Sequence, residues 1–86
     1  MKIHVSSKFS HSESNFHNEF DLNSTPQQIS ENIEKVTNYA IQKLKEKCEN
    51  YFKIEFSTLV FIEIYYFINE KEITIFKKEK YETFHN

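Results

Sequence analysis

The sequence predicts an α+β domain in ββαββ order: a four-stranded, mainly antiparallel sheet with one long helix on one face. Three stretches of hydrophobic patterning carry that prediction. Residues 2–9 and 16–22 alternate apolar with polar around a turn-forming cluster, as a β-hairpin does. Between Pro26 and Glu49 the apolar residues recur at steps of three and four, as along one side of a helix. From Phe52 to Ile68 the period of two returns over a longer run, and a second polar cluster follows. Residues 1–86 form one domain, because a chain this short buries only about 60–65% of its unfolded surface around a single core.

In the first hairpin Ile3, Val5, Ser7 and Phe9 share a face, as do Phe16, Asn18, Phe20 and Leu22 on the partner strand. The run Ser10–Asn15 supplies the turn. Pairing Phe9 with Phe16 sets Val5 opposite Phe20 and Ile3 opposite Leu22. A slip of one residue would turn one strand's apolar set to solvent.

The helix start is written in three residues. Thr25 caps, Pro26 suits the first helical position, and Gln28 can close a capping box back onto Thr25. Ile29, Ile33, Val36, Ala40, Leu44 and Cys48 then form a narrow apolar stripe. Glu31 lies one turn before Lys35, and Lys43, Lys45 and Lys47 sit where the helix dipole favours cations. The helix is expected from about Pro26 to Glu49, roughly 36 Å long at 1.5 Å per residue.

Phe52, Ile54, Phe56, Thr58, Val60, Ile62, Ile64, Tyr66 and Ile68 occupy alternate positions of one long expected strand. At ~3.3 Å per residue it would reach about 56 Å and overhang the helix by roughly six residues. With no glycine or proline to break it, a bend or bulge at Ser57-Thr58 is expected. A four-residue loop, Asn69–Glu72, would pair Ile68 with Ile73 and Tyr66 with Ile75 on the inner face. Tyr65 would then meet Phe76, and Glu63 would meet Lys78, on the outer face. That register turns Lys77 and Glu79 inward beside Ile64 and Ile62. Either a bulge shifts it or the strand ends near Lys77, and a charged edge that blocks further strand addition is the expected outcome.

The odd positions of the long strand are greasy as well. One helix covers one face of a four-stranded sheet. Leu59, Phe61, Tyr65 and Phe67, with Phe76 alongside, are therefore expected to form a partner-binding surface on the other face. A protein partner of unspecified identity is expected there, and so is a homodimer. The order hairpin, helix, hairpin resembles the β-grasp arrangement. The resemblance rests on element order and implies a fold without a function. A sheet with the long strand beside the first satisfies the same connections.

Other function classes are discounted. The chain has 11 basic and 13 acidic residues, a net charge of −2 and no arginine, the usual reader of phosphate and guanine. Lys77, Lys78, Lys80 and Tyr81 alternate bases with rings in a way that could stack a single strand. Interleaved glutamates dilute that charge, so nucleic acid is not an expected partner. The spacing of His4, His11, His17 and His85 fits no standard zinc pattern, and Cys48 falls on the helix's apolar stripe. Neither a metal nor a cofactor is expected. Without glycine there is no glycine-rich phosphate loop, and no carboxylate pair is held for catalysis, so an enzyme is not expected.

A single cysteine and no leader-like apolar run at the N-terminus point to the cytoplasm. The greasiest window, Phe56 to Ile68, contains Glu63 and is too short to span a bilayer. The wealth of Lys, Asn, Ile, Glu, Phe and Tyr suggests an AT-rich genome, as in phages and mobile elements. The expected function is a small protein-binding module, an inhibitor that occludes a host defence protein such as a CRISPR-type effector. The alternatives are a structural homodimer and a lysine- and aromatic-based binder of single-stranded nucleic acid.

Overall fold

The helix start forms as its three local residues dictate. The computed structural model describes residues 1–79. Helix α1 spans Pro26–Glu31 and is capped by Thr25, whose Oγ1 accepts the Gln28 amide at 3.2 Å. The Thr25 amide donates in return to Gln28 Oε1 at 2.8 Å, completing the box.

The expected single helix breaks at Asn32. Its backbone leaves the helical region (φ −133°, ψ 39°), and its side chain donates to the Gln28 carbonyl at 2.9 Å. A short amide side chain thus satisfies a carbonyl that the helical backbone would otherwise use. Helix α2 restarts at Ile33 and runs to Lys47. The restart rotates the apolar stripe: Val36, Thr37, Ala40 and Leu44 are buried, whereas Ile33, expected on the stripe, is 43% exposed.

The chain then leaves the helix through a π-type turn over Cys48–Phe52. Lys53 closes it in the left-handed region (φ 56°), and the Lys53 and Ile54 amides both donate to the Cys48 carbonyl. A short 3₁₀ turn follows at Phe56–Thr58. The expected long strand from Phe52 is therefore corrected. Residues 51–58 keep the alternation of exposed and half-buried side chains without lying in a sheet. Phe52, Ile54 and Phe56 pack against the core from irregular backbone, and Phe52 stacks on Phe16 with ring centroids 4.8 Å apart. Among the described residues, no strand pairs with this segment. The first strand ends at Phe9, and the next amide, Ser10, donates to the Thr58 carbonyl.

The sheet comprises β1 (Lys2–Phe9), β2 (Asn15–Asp21), β3 (Leu59–Ile68) and β4 (Lys71–Glu79) in the order β2-β1-β3-β4. Every neighbouring pair is antiparallel, so the fold is the expected α+β class in ββαββ order. The strand after the helices lies beside the first. β2 and β3 flank β1 and run parallel to each other, which makes the helical layer a crossover above β1.

Both hairpins sit two residues away from the expected register. In the first, Ser7 rather than Phe9 is opposite Phe16, Val5 is opposite Asn18, and Ile3 is opposite Phe20. In the second, a two-residue turn at Asn69-Glu70 pairs Ile68 with Lys71 and Tyr66 with Ile73. Each slip is even, so these side chains keep their faces. Further along β4 a bulge intervenes: Tyr65 pairs with Thr74 but Ile64 pairs with Phe76, which leaves Ile75 as the extra residue. The bulge resolves the conflict at Lys77, which now lies opposite Glu63, while Lys78 lies opposite Ile62.

The core fills the space between the inner sheet face and the helices. Ile3, Val5 and Phe9 of β1, Phe20 of β2 and Ile62, Ile64 and Tyr66 of β3 meet Ile29, Val36, Ala40, Leu44 and Cys48. Burying a side chain the size of leucine or isoleucine contributes about 1.5–3 kcal/mol, so this set holds the helical layer down. Among the described residues, no helix packs on the opposite sheet face.

Candidate functional site

The helix-free face is built by alternation along three strands. β3 presents Phe61, Glu63, Tyr65 and Phe67; β1 presents Lys2, His4, Ser6 and Lys8; β2 presents His17, Glu19 and Asp21. Tyr65 lies opposite His4, and their rings stack with centroids 5.2 Å apart and planes 13° apart. Phe67 meets both rings edge to face, at 5.0 Å from His4 and 5.7 Å from Tyr65. His17 stacks on His4 at 5.3 Å and lies 6.3 Å from Tyr65, so the three rings form a triangle. The result is a ring cluster of two histidines, a tyrosine and a phenylalanine, running diagonally across β2, β1 and β3.

Charged and polar groups surround it. Lys2 and Asp21 form an ion pair at 2.8 Å, and it holds the Asp21 carboxyl below and the Lys2 ammonium above their ordinary pKa values. The pair is exposed, so it fixes geometry more than it stabilises the fold. Tyr65 Oη and Ser6 Oγ are 3.3 Å apart, and Thr74 Oγ1 donates to Glu63 at 2.9 Å. Phe67 is 44% exposed, the most accessible aromatic ring on this face.

The expected binding set divides into two groups. Tyr65 and Phe67 lie in the ring cluster. Phe61, opposite Lys8 and Glu79, stands at the other end of β3, with Lys77 Nζ 6.0 Å from its ring centre. Leu59 and Phe76, expected on the outer face, instead pack against the core. The register shift at Phe9 pairs Leu59 with Phe9 on the inner face, and the β4 bulge does the same for Phe76 opposite Ile64. With Ile41, Phe56, Ile62 and Lys78 they line an apolar pocket of about 260 Å³ between α2 and the sheet; Phe61 borders it.

The candidate nucleic-acid residues do not converge. Lys77 is on the outer face and Lys78 lines the pocket on the inner one. Lys80 and Tyr81 lie outside the described residues.

Cys48 is fully buried, as its place on the helix stripe requires. Burial pushes its thiol pKa up, and the neighbouring Glu49 carboxylate adds to the shift. A protonated, inaccessible thiol is a packing group and a poor nucleophile.

One grouping was not legible in the sequence. His4, His17 and Glu19 bring their nitrogen and oxygen atoms within 4.8 Å of one another, and His4 Nδ1 stands 3.2 Å from His17 Nε2. The expected register set His4 opposite Asp21 and His17 opposite Lys8. The observed one sets His4 opposite Glu19 and His17 opposite Ser6.

Comparison with protein-family models, with curated proteins and with solved structures finds no match. The functional reading therefore rests on the site. Among the described residues, no helix is long and apolar enough to cross a membrane.

Proposed function

We propose that the protein is a non-enzymatic binding module that docks another protein on the helix-free face of its sheet. The observation that supports this is the exposed Phe67 ring, set in an aromatic cluster on a sheet face that no helix covers. Rings at the centre and charged groups at the rim, here Lys2, Asp21, Lys8 and Lys77, is the layout of a protein interface. Tyr65 and Phe67 are the anchors, and Phe61 extends the surface along β3. The mode of action is occlusion, in which the sheet face covers a surface on the partner. The composition, typical of a mobile element, directs the search for that partner to host defence proteins.

The test uses the triple variant Phe61→Ser, Tyr65→Ser, Phe67→Ser together with Phe67→Ser alone. Light scattering on the purified wild type reads self-association, and capture from host lysate reads a foreign partner. The variants should melt cooperatively and lose whichever association the wild type shows. Unchanged association would refute the proposal. So would loss of the fold in Phe67→Ser, because the ring would then be structural.

A further inference from the structure

We infer that His4, His17 and Glu19 form a binding site for one divalent transition-metal cation of the zinc class. Two imidazole nitrogens and one carboxylate oxygen supply the donors. The inference is independent of the docking proposal, although both concern the same sheet face.

The placement follows from the register. Glu19 lies directly opposite His4, and His17 precedes Glu19 by two residues on the same strand, so all three project from one face. Their donor atoms already fall within 4.8 Å of one another. The separation of His4 Nδ1 and His17 Nε2, 3.2 Å, is the more telling number. With metal–nitrogen bonds of about 2.0–2.1 Å, two corners of a tetrahedron stand roughly 3.3–3.4 Å apart. One edge of a zinc polyhedron is thus in place before any cation arrives.

The rings are also held. His4 stacks on both His17 and Tyr65, at 5.3 and 5.2 Å, those two rings are themselves 6.3 Å apart, and Phe67 meets His4 edge to face at 5.0 Å. Ligands fixed by their neighbours lose little freedom on binding, which is what a preorganised site requires. A bare pair of facing imidazole nitrogens can share a single proton. A cation between them accepts both lone pairs, and the Glu19 carboxylate offsets part of its charge.

The neighbouring carboxylates are engaged elsewhere. Asp21 is paired with Lys2 at 2.8 Å, and Glu63 accepts from Thr74 at 2.9 Å. That leaves three protein ligands and a fourth position open to water. Imidazole donors suit zinc, cobalt, nickel and copper, whereas magnesium and calcium prefer all-oxygen sites.

The test is calorimetric titration of the full chain with Zn²⁺ and, separately, Mg²⁺, with nitrogen NMR of the imidazoles as the structural readout. Wild type should bind one Zn²⁺ per chain and give no saturable heat with Mg²⁺. His4 Nδ1 and His17 Nε2 should carry the shifts of metal-bound nitrogens. H17Q should weaken binding on the order of 100-fold, since a direct ligand counts for at least as much as the outer partners whose loss costs about 10–100-fold. E19Q should weaken it by a smaller factor, and H11Q should leave it unchanged. The proposal is overturned if wild type shows no saturable Zn²⁺ binding, if H17Q and E19Q bind as wild type does, or if other nitrogens carry the shifts. Should H17Q fail to fold, E19Q decides on the same criterion.

Discussion

Glu70 should be replaceable by glycine with a gain in stability. The turn joining β3 to β4 has two central residues, Asn69 and Glu70, both at positive φ (49° and 67°). Two-residue hairpin turns of this hand favour Asn-Gly, because their twist matches that of the strands. The chain contains no glycine, so a glutamate occupies the second position. Holding a residue with a Cβ in the left-handed region costs roughly 1–2 kcal/mol. Glycine removes that cost but gives the unfolded chain more freedom, which returns about 0.4–1 kcal/mol. Glu70→Gly should therefore stabilise the fold by about 0.5–1 kcal/mol. For a domain of this size that is a rise in melting temperature of roughly 2–8 °C.

Urea unfolding provides the assay, with a higher midpoint and an unchanged slope as the expected result. Glu70→Ala is the control, since it removes the same exposed carboxylate yet keeps the Cβ. It should leave the midpoint nearly unmoved. If alanine stabilises as much as glycine, the effect belongs to the lost charge and the backbone argument fails. If glycine destabilises, Glu70 is not held in the left-handed region.

Two further outcomes follow from the interior. The Thr37 hydroxyl is buried without a hydrogen-bond partner among the described residues, so the isosteric Thr37→Val should raise stability by about 1 kcal/mol, read from the urea midpoint. Cys48 should resist alkylation in the native protein at neutral pH and react at the ordinary rate in denaturant, followed by mass spectrometry. Its raised pKa also has a pH signature. As pH climbs past the thiol's ordinary value the unfolded chain loses its proton first, so native stability falls in that window. Cys48→Ala should remove that part of the decline in melts run from neutral to alkaline pH, whatever packing it forfeits at neutral pH.

The helix start was legible because it is local. Thr25, Pro26 and Gln28 satisfy one another within a single turn and need nothing from the rest of the fold. The break at Asn32 involves an equally local bond, but asparagine tolerates a helix interior as well as a break. Which of the two it takes depends on how the flanking turns seat on the sheet. The segment from Phe52 to Thr58 teaches a different lesson. Its alternation is a true record of burial, with Phe52, Ile54 and Phe56 turned to the core. Alternation reports which side chains are covered, whereas a strand also needs a neighbour to bond with. Phe9 ends β1 too early to provide one.

Face and register are separate pieces of information, and that separation explains what was missed at the site. Hydrophobic alternation determines which face a side chain occupies, and an even slip preserves it. Ile3, Val5 and Phe20 reached the core although their expected pairing was two residues off. A bulge changes the parity, and Phe76 accordingly moved from the outer face to the inner one. A ligand cluster depends on who stands opposite whom, so even a slip that spares the core erases it. In the expected register His17 faces Lys8, a cation that would repel a metal. In the observed one His17 stacks on His4, with Glu19 across from it. Nothing apolar distinguishes these two registers on β2's outer side. On the inner side Ile3 lies opposite Phe20, and Ser7 opposite Phe16, whose ring stacks on Phe52. The pairing that places these inner residues also places His17 and Glu19 beside His4 on the outer face.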